Sequence, residues 1–410
     1  MPDFHQPVQL PTLHHLAETR LEEREELVSL MAKKRPVALV VPALASELER
    51  EALPRILRAI NQAPYVSQVI LTMNGMSAEQ YTQAKIFFKR RLRKTPFQIL
   101  WNDGPQLDAL HKELAPLTGT PHVHGKGSNV WMGIAWLLAG GHEGVIVCHD
   151  SDILNYDREL IWRLCLPVVH PDLGYVFAKS YYGRVRGRMY GRVTRLLMFP
   201  LLQAMRELFG SMPLLSFLGS FRYPLSGEFA VDAGFIGRLA LPANWGLETG
   251  VLCELFRHAP AQQICQVDLG NNFDHKHQHL GIHPKTGEPD PAGGLVRMAE
   301  DVTRTLLSHL WSQPGFASEA GRLAQVVDAY QGSAQQLLRR YRHEMLFNGL
   351  EDSSDEEKRI VAAFAKVVRN AAKDFLENPT FQPALPPWSL VERELPGFGQ
   401  RLLEAATRKD

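Results

Sequence analysis

From residue 36 to residue 152, short apolar runs alternate with segments whose apolar positions recur every three or four residues. "PVALVVPAL" (36–44), "SQVILTMNG" (67–75), "FQILWND" (97–103) and "GVIVCHDSD" (144–152) are short and mostly β-branched, which predicts buried strands. "EREALPRILRAINQA" (49–63), "SAEQYTQAKIFFKRRLRK" (77–94) and "NVWMGIAWLLAG" (129–140) carry the helical period between them. Continuous apolar strands interleaved with amphipathic helices imply an α/β fold, a mostly parallel sheet covered on both faces. Ligands of such sheets bind beyond the carboxyl ends of the strands, where Pro42 to Glu47, Asn74-Gly75, Asn102-Asp103 and Asp150 to Asp152 all fall.

The pattern changes on either side. Residues 12–34 have helical spacing and a basic last turn, which predicts a helix packed on the domain that follows. Strands at "LGYVFAKSYYG", "GEFAVD" and "QICQVDLG" mix with helices at 192–209 and 246–258, an α+β arrangement. From about 290 the chain reads as helical, and the proline-rich "NPTFQPALPPWSLVERELPG" (378–397) as extended and draped on the surface. The expected organisation is therefore an N-terminal helix (1–34), a main domain (35–285, with halves 35–152 and 153–285) and a mainly helical C-terminal extension (286–410).

Composition narrows the classes. Over 410 residues, 45% hydrophobic and 22% charged content is that of a soluble globular protein. A net charge of +1 argues against a general polyanion binder, nucleic acid included. Cys148, Cys165, Cys253 and Cys265 lie far apart in apolar stretches and read as free thiols of a cytoplasmic protein. The N-terminus lacks the apolar core of a signal peptide. The apolar stretch 193–221 is interrupted by Arg195, Pro200, Arg206, Glu207 and Pro213, which predicts a long amphipathic helix and an apolar loop rather than a membrane span of about 20 residues.

Five stretches can carry chemistry. Asp150 and Asp152 stand two apart at a strand end, so both can face one point and hold Mg²⁺ or Mn²⁺; the alternative is a strand meeting water. In "HGKGSNVW", Gly125, Lys126 and Gly127 precede a helix and offer an ammonium and N–H groups to a phosphate, or form a solvated turn. In "KSYYGRVRGRMYGRVTRLL", Arg184, Arg186, Arg188, Arg192 and Arg195 match anions, with Gly191 to Thr194 opening a helix. His275, His277 and His279 alternate as metal ligands on one strand face would, or as surface histidines. Glu228 and Glu248 are carboxylates in apolar settings, suited to orienting a polar substrate or to acid–base work.

In order, "VPALASELE", "GKGSNVW", "CHDSDI", "GRVTRLL", "YPLSGEFA", "WGLETGVL" and "DHKHQHL" resemble GT-A-fold nucleotide-sugar glycosyltransferases. The resemblance is to the retaining glucosyl-3-phosphoglycerate synthases and their mannosylglycerate synthase relatives, and covers roughly residues 36–280. It implies nucleotide-sugar contacts by Pro42, Ala43, Leu44, Glu47, Asn74, Lys126, Asp150 and Ser151, and a Mg²⁺ or Mn²⁺ held by Asp152 and His275. It implies acceptor contacts by Gly191, Arg192, Thr194 and His277, with Asp152 and Glu248 the catalytic pair. Ala45 and Ser46 depart from the family's asparagine and glutamate, and His277 from its asparagine. The implied reaction moves glucose from UDP-glucose to 3-phosphoglycerate, making a compatible-solute precursor in a cytoplasmic homodimer. The alternatives are another nucleoside diphosphate sugar, unphosphorylated glycerate as acceptor, or a non-catalytic nucleotide-sugar-binding protein.

Overall fold

A computed structural model of the chain describes residues 9–119, 123–270, 273–275, 279–281, 290, 293–379 and 384–407. Its strands, in chain order, are β1 (Thr12–Leu13), β2 (Val37–Leu44), β3 (Val66–Asn74), β4 (Phe97–Trp101), β5 (Val145–Cys148), β6 (Phe177–Tyr181), β7 (Phe229–Asp232), β8 (Leu241–Pro242), β9 (Ile264–Asp268) and β10 (Ala384–Leu385). Eight of them form one sheet in the order β1-β9-β6-β7-β5-β2-β3-β4. All neighbours are parallel except where β7 runs between β5 and β6. Strands β2 to β5 are therefore co-directional, and their polar carboxyl ends share one edge.

The central strand β2 contains a proline, which a strand tolerates only where its missing N–H is not needed. Pairing with β5 ends at Val40 opposite Cys148, after which His149 N–H still donates to Val40 O (3.1 Å). Pro42, two residues on, points its nitrogen to the same side, past the end of β5. The two strands part there and a cleft opens between them.

The structure corrects three expectations. Residues 12–34 are not one helix: Thr12–Leu13 pairs with β9, and the helix spans Leu21–Ala32. The apolar segment after the helix Phe199–Phe209 is a further short helix, Pro213–Leu218, whose leucines are buried. The proline-rich tail is not draped on the surface: β10 pairs with β8, and helices Trp388–Glu394 and Phe398–Thr407 bury Trp388, Val391, Phe398 and Leu402. Helices Pro105–Glu113 and Arg158–Val169 are additional elements. No helix among the described residues is long and apolar enough to cross a membrane.

The long C-terminal helices Gly294–Trp311, Val326–Phe347 and Ser354–Glu377 share one continuous core with the sheet's own helices. They brace the arginine-lined side of the cleft, as the contacts below show.

Candidate active site

At the carboxyl edge lies a cleft of about 390 Å³. Every site residue expected from the sequence lines it except His277, which lies outside the described residues: Pro42, Ala43, Leu44, Glu47, Asn74, Lys126, Asp150, Ser151, Asp152, Gly191, Arg192, Thr194, Glu248 and His275. Asn102 and Asp103 stand behind the wall. Asn102 donates to Asn129 Oδ1 (2.8 Å), and Asp103 accepts from Gly75 N–H (2.6 Å).

Lys126 is the first residue of the helix Lys126–Ala139, whose start is closed by mutual hydrogen bonds between Gly125 and Ser128. Gly127 lets that start sit on β8, since a Cβ there would lie 1.8 Å from Pro242 O. The Lys126 ammonium reaches Asp150 Oδ1 and Glu248 Oε1, each at 2.7 Å. Burial opposes the charge on Lys126, and the two carboxylates overcome it, so its pKa stands well above the ordinary lysine value. Glu248 occupies the first turn of the helix Leu247–His258. The loop before it is pinned from the C-terminal region, where Asp301 accepts from Trp245 N–H (3.2 Å).

Asp152 makes a different set of contacts. Asp152 Oδ1 lies 3.3 Å from His275 Nδ1, and His275 Nε2 lies 3.0 Å from the Tyr182 hydroxyl. Tyr182 donates to Glu228 Oε2 (2.7 Å), a fully buried carboxylate whose pKa is raised by burial and by Asp150. With the tyrosine proton committed to Glu228, Nε2–H of His275 donates to the tyrosine oxygen. Nδ1 is then the nitrogen that faces the Asp152 carboxylate, 3.3 Å from its Oδ1. Burial opposes ionisation of Asp152, but His275 prevails and its pKa is lowered. Ligand atoms of Asp150, Asp152 and His275 lie within 4.8 Å of one another. Carboxylate oxygens with one imidazole nitrogen suit a hard divalent ion such as Mg²⁺ or Mn²⁺, so the residues fit the expected metal.

The arginine-lined wall is built differently. Arg184 to Tyr190 is a small hairpin closed by Tyr190 N–H donating to Arg184 O (2.8 Å). Gly191 follows, and a turn of π-helix, Thr194–Met198, leads into the helix Phe199–Phe209. Arg195 anchors the segment through Tyr190 O (2.7 Å) and the buried Glu357 (2.7 Å). The neighbouring Glu356 takes Arg188 on one oxygen and Arg192 on the other (3.3 Å). Both glutamates come from the helix Ser354–Glu377, some 160 residues further along the chain.

Several contributors escaped the sequence reading. Tyr182, Tyr223 and Trp245 line the cleft, as do Leu295, Arg297 and Met298 of the helix Gly294–Trp311. Lys179 lies buried beneath it, donating to Ser226 O, and burial lowers its pKa to about 8. The signal for Lys179 was a lone cation inside an otherwise apolar strand, "VFAKSYY". Gly227 had a signal too, in "LSGEF": a Cβ there would lie 2.3 Å from Asp150 Oδ2, so glycine is what lets Asp150 sit where it does.

No family model matches the chain. It is 34% identical to the glucosyl-3-phosphoglycerate synthase of Persephonella marina, over 99% of this chain and 98% of that protein. It is 33% identical to that of Methanococcoides burtonii, over 98% and 97%. Among solved structures, the Mycobacterium tuberculosis glucosyl-3-phosphoglycerate synthase in complex with Mn²⁺, UDP-glucose and phosphoglyceric acid aligns at a TM-score of 0.49 and 23% identity, covering 73% of this chain and 88% of that one. On full-length similarity to curated relatives, the chain belongs to the glucosyl-3-phosphoglycerate synthase family.

Proposed function

We propose that the chain transfers glucose from UDP-glucose to the free hydroxyl of 3-phosphoglycerate, with retention at the sugar's anomeric carbon. The observation that carries this reading is one cleft holding both the Asp150–Asp152–His275 cluster and, across from it, the Gly191–Thr194 helix start. Membership of the family supports the choice of substrates. When bound, the divalent ion supplies Lewis-acid neutralisation of the diphosphate as the sugar bond breaks.

The chain's own groups do the rest by position and charge. Asp152 and His275 would hold the ion. Asp150, tied to Lys126, would orient the sugar-nucleotide. Lys126, kept protonated by its two carboxylates, would face the phosphates, and Glu248 would present its second oxygen to the sugar hydroxyls. Pro42 to Leu44, Glu47, Asn74 and Ser151 would form the nucleotide wall. Gly191, Arg192 and Thr194 would receive an anionic group of the acceptor, where N–H groups, hydroxyl and guanidinium converge. A cytoplasmic homodimer completes the reading, supported by four free buried cysteines and by the exposed pair Leu346 (82%) and Phe347 (88%).

Incubation with Mn²⁺, several sugar nucleotides, and either 3-phosphoglycerate or glycerate tests the reading. Release of UDP from UDP-glucose with 3-phosphoglycerate is the expected result. Consumption of no sugar nucleotide with either acceptor would overturn it.

A further inference from the structure

Lys179 has no task in the chemistry proposed above, yet it is a buried cation directly beneath the site. It stands on β6 opposite Phe229 of β7 and is 2% exposed. Among the described residues no carboxylate lies within salt-bridge distance of it, and its ammonium donates to the Ser226 carbonyl. Burial lowers its pKa to about 8, and the charges of Glu248, Glu228 and Asp150 oppose that fall, so the group is charged at neutral pH. An ammonium withdrawn from water with a carbonyl as its partner is costly, and a methionine would fill the same space without that cost. The cost points to what the lysine holds.

Ser226, Gly227 and Glu228 lead into β7, and this segment serves both sides of the cation cluster. Gly227 packs on Asp150, whose Oδ2 would lie 2.3 Å from a Cβ at that position. Glu228 accepts from the Tyr182 hydroxyl (2.7 Å), which lies 3.0 Å from His275 Nε2. The segment is fastened to β6 at each end. Glu228 O accepts from Ser180 N–H (3.1 Å) and from the Ser180 hydroxyl (2.9 Å), and the Ser226 hydroxyl donates to Ser180 O (2.8 Å). Between these ties lies the Ser226–Gly227 peptide. Glycine's wide φ/ψ range leaves such a peptide free to rotate unless something holds its carbonyl. Lys179 holds it.

We infer that Lys179 is a positioning residue of the cation site: by fixing the Ser226–Gly227 peptide on β6 it seats Asp150 and, through Glu228 and Tyr182, His275. The inference rests on the proposed role of the Asp150–Asp152–His275 cluster, and adds a residue that does not line the cleft. The sign of one measurement separates this role from its rivals. A cation under a divalent-ion site repels the ion, so loss of the charge alone tightens ion binding. Loss of positioning loosens it, and loss of packing alone leaves it unchanged wherever the chain stays folded.

Electron paramagnetic resonance of free Mn²⁺, titrated with the full chain and UDP against a UDP blank, reads this without turnover. Lys179→Met is expected to weaken Mn²⁺ binding by about 10- to 100-fold, the scale of lost support behind a metal ligand. UDP affinity in chelator should stay within about twofold, as for an independent site. Lys179→Gln is neutral like methionine but can still donate to the Ser226 carbonyl, so it should recover part of the loss. Tighter or unaltered Mn²⁺ binding in Lys179→Met overturns the inference, as does an equal loss of UDP affinity in chelator. Equal Mn²⁺ losses in the methionine and glutamine variants overturn the hydrogen bond as the route. Should Lys179→Met fail to fold, Lys179→Gln carries the test against the unaltered protein: weaker Mn²⁺ binding supports the inference and unaltered or tighter binding overturns it. Failure of the unaltered protein to bind Mn²⁺ with UDP overturns the proposed cation site itself, whatever the variants do.

Discussion

On one wall of the cleft, Asp150, Asp152, Glu248 and the buried Glu228 face two ammonium groups, Lys126 and Lys179. On the other wall, Arg184 has no carboxylate within salt-bridge distance among the described residues, and Arg192 shares Glu356 with Arg188, which also reaches Glu351. The first wall has an excess of negative charge and the second an excess of positive charge. Each imbalance costs free energy in the empty protein, because partly desolvated charges without counter-charges are expensive. Each is complementary to one proposed substrate: the carboxylates to a divalent ion that accompanies a diphosphate, the guanidiniums to a doubly anionic acceptor.

The walls also differ in what supports them. The carboxylate wall is made of strand ends and helix starts that the sheet holds directly, with Gly227 giving Asp150 its space. The guanidinium wall is a hairpin and a π-turn, held from behind by the helix Ser354–Glu377. Rigidity is intrinsic to the first and borrowed by the second. Substitutions should separate the two.

The largest expected effect is on the carboxylate wall. Asp152→Ala should lower kcat/KM at least about a thousandfold, the several kcal/mol that Lewis-acid charge stabilisation supplies. Circular dichroism should be unchanged, and an unaltered rate would remove Asp152 from the ion site.

On the other wall, Glu357→Ala leaves the Arg195 guanidinium buried and unpaired. It should destabilise the fold by about 3–5 kcal/mol in urea unfolding. At temperatures where the variant stays folded, KM for the acceptor should rise while UDP affinity holds. A matching loss of UDP affinity would mean that the walls are not independently supported.

Gly227→Ala sharpens the comparison from the carboxylate side. The new methyl must displace the Asp150 carboxylate, a misfit of about 1–3 kcal/mol that should weaken nucleotide-sugar binding by about tenfold or more. Acceptor binding should be nearly unaffected, as titration calorimetry would show.

The smallest effect concerns Asp301, which braces Trp245 and whose pKa is raised by burial from 3.8 to about 6. The folded chain keeps this proton over a range where the unfolded chain has released it. Stability from this group is therefore lost as pH rises from about 4 to about 6, and the cost is fully present above that. Asp301→Asn retains an acceptor for Trp245 N–H and removes the charge. It should stabilise the protein at pH 8 by on the order of 1–3 kcal/mol and have little effect at pH 4. Thermal unfolding at the two pH values checks it; equal shifts at both would mean that Asp301 does not titrate in this range.

Much of the carboxylate wall was legible in the sequence. "PVALVVPAL", "SQVILTMNG" and "GVIVCHDSD" announce buried strands with polar ends, and parallel strands deliver those ends to one edge. Local sequence and local position coincide there, so Lys126, Asp150 and Asp152 could be placed together beforehand. The arginine segment was legible as anion-binding but not in its pairing. Nothing in "GRVRGRMYGRVTR" says which guanidiniums will be neutralised, because the neutralising carboxylates, Asp274 and those of "LEDSSDEEKR", lie far along the chain. The tail was misread for a related reason: proline-rich composition favours extended chain, but Trp388, Val391, Phe398 and Leu402 gain more from burial in the core than from exposure.

The sequence by itself determined the α/β fold and the carboxyl edge as the place of chemistry, because hydrophobic period and strand polarity are local properties that the backbone enforces. It also determined the identity of the charged groups. Only the tertiary structure decided how those charges pair. Asp150 went to Lys126, Asp152 to His275 and Glu356 to Arg188 and Arg192, while Arg184 has no carboxylate partner among the described residues. Pairing depends on distances of a few ångströms between residues up to 168 positions apart, and Coulomb energies at low dielectric change steeply over such distances.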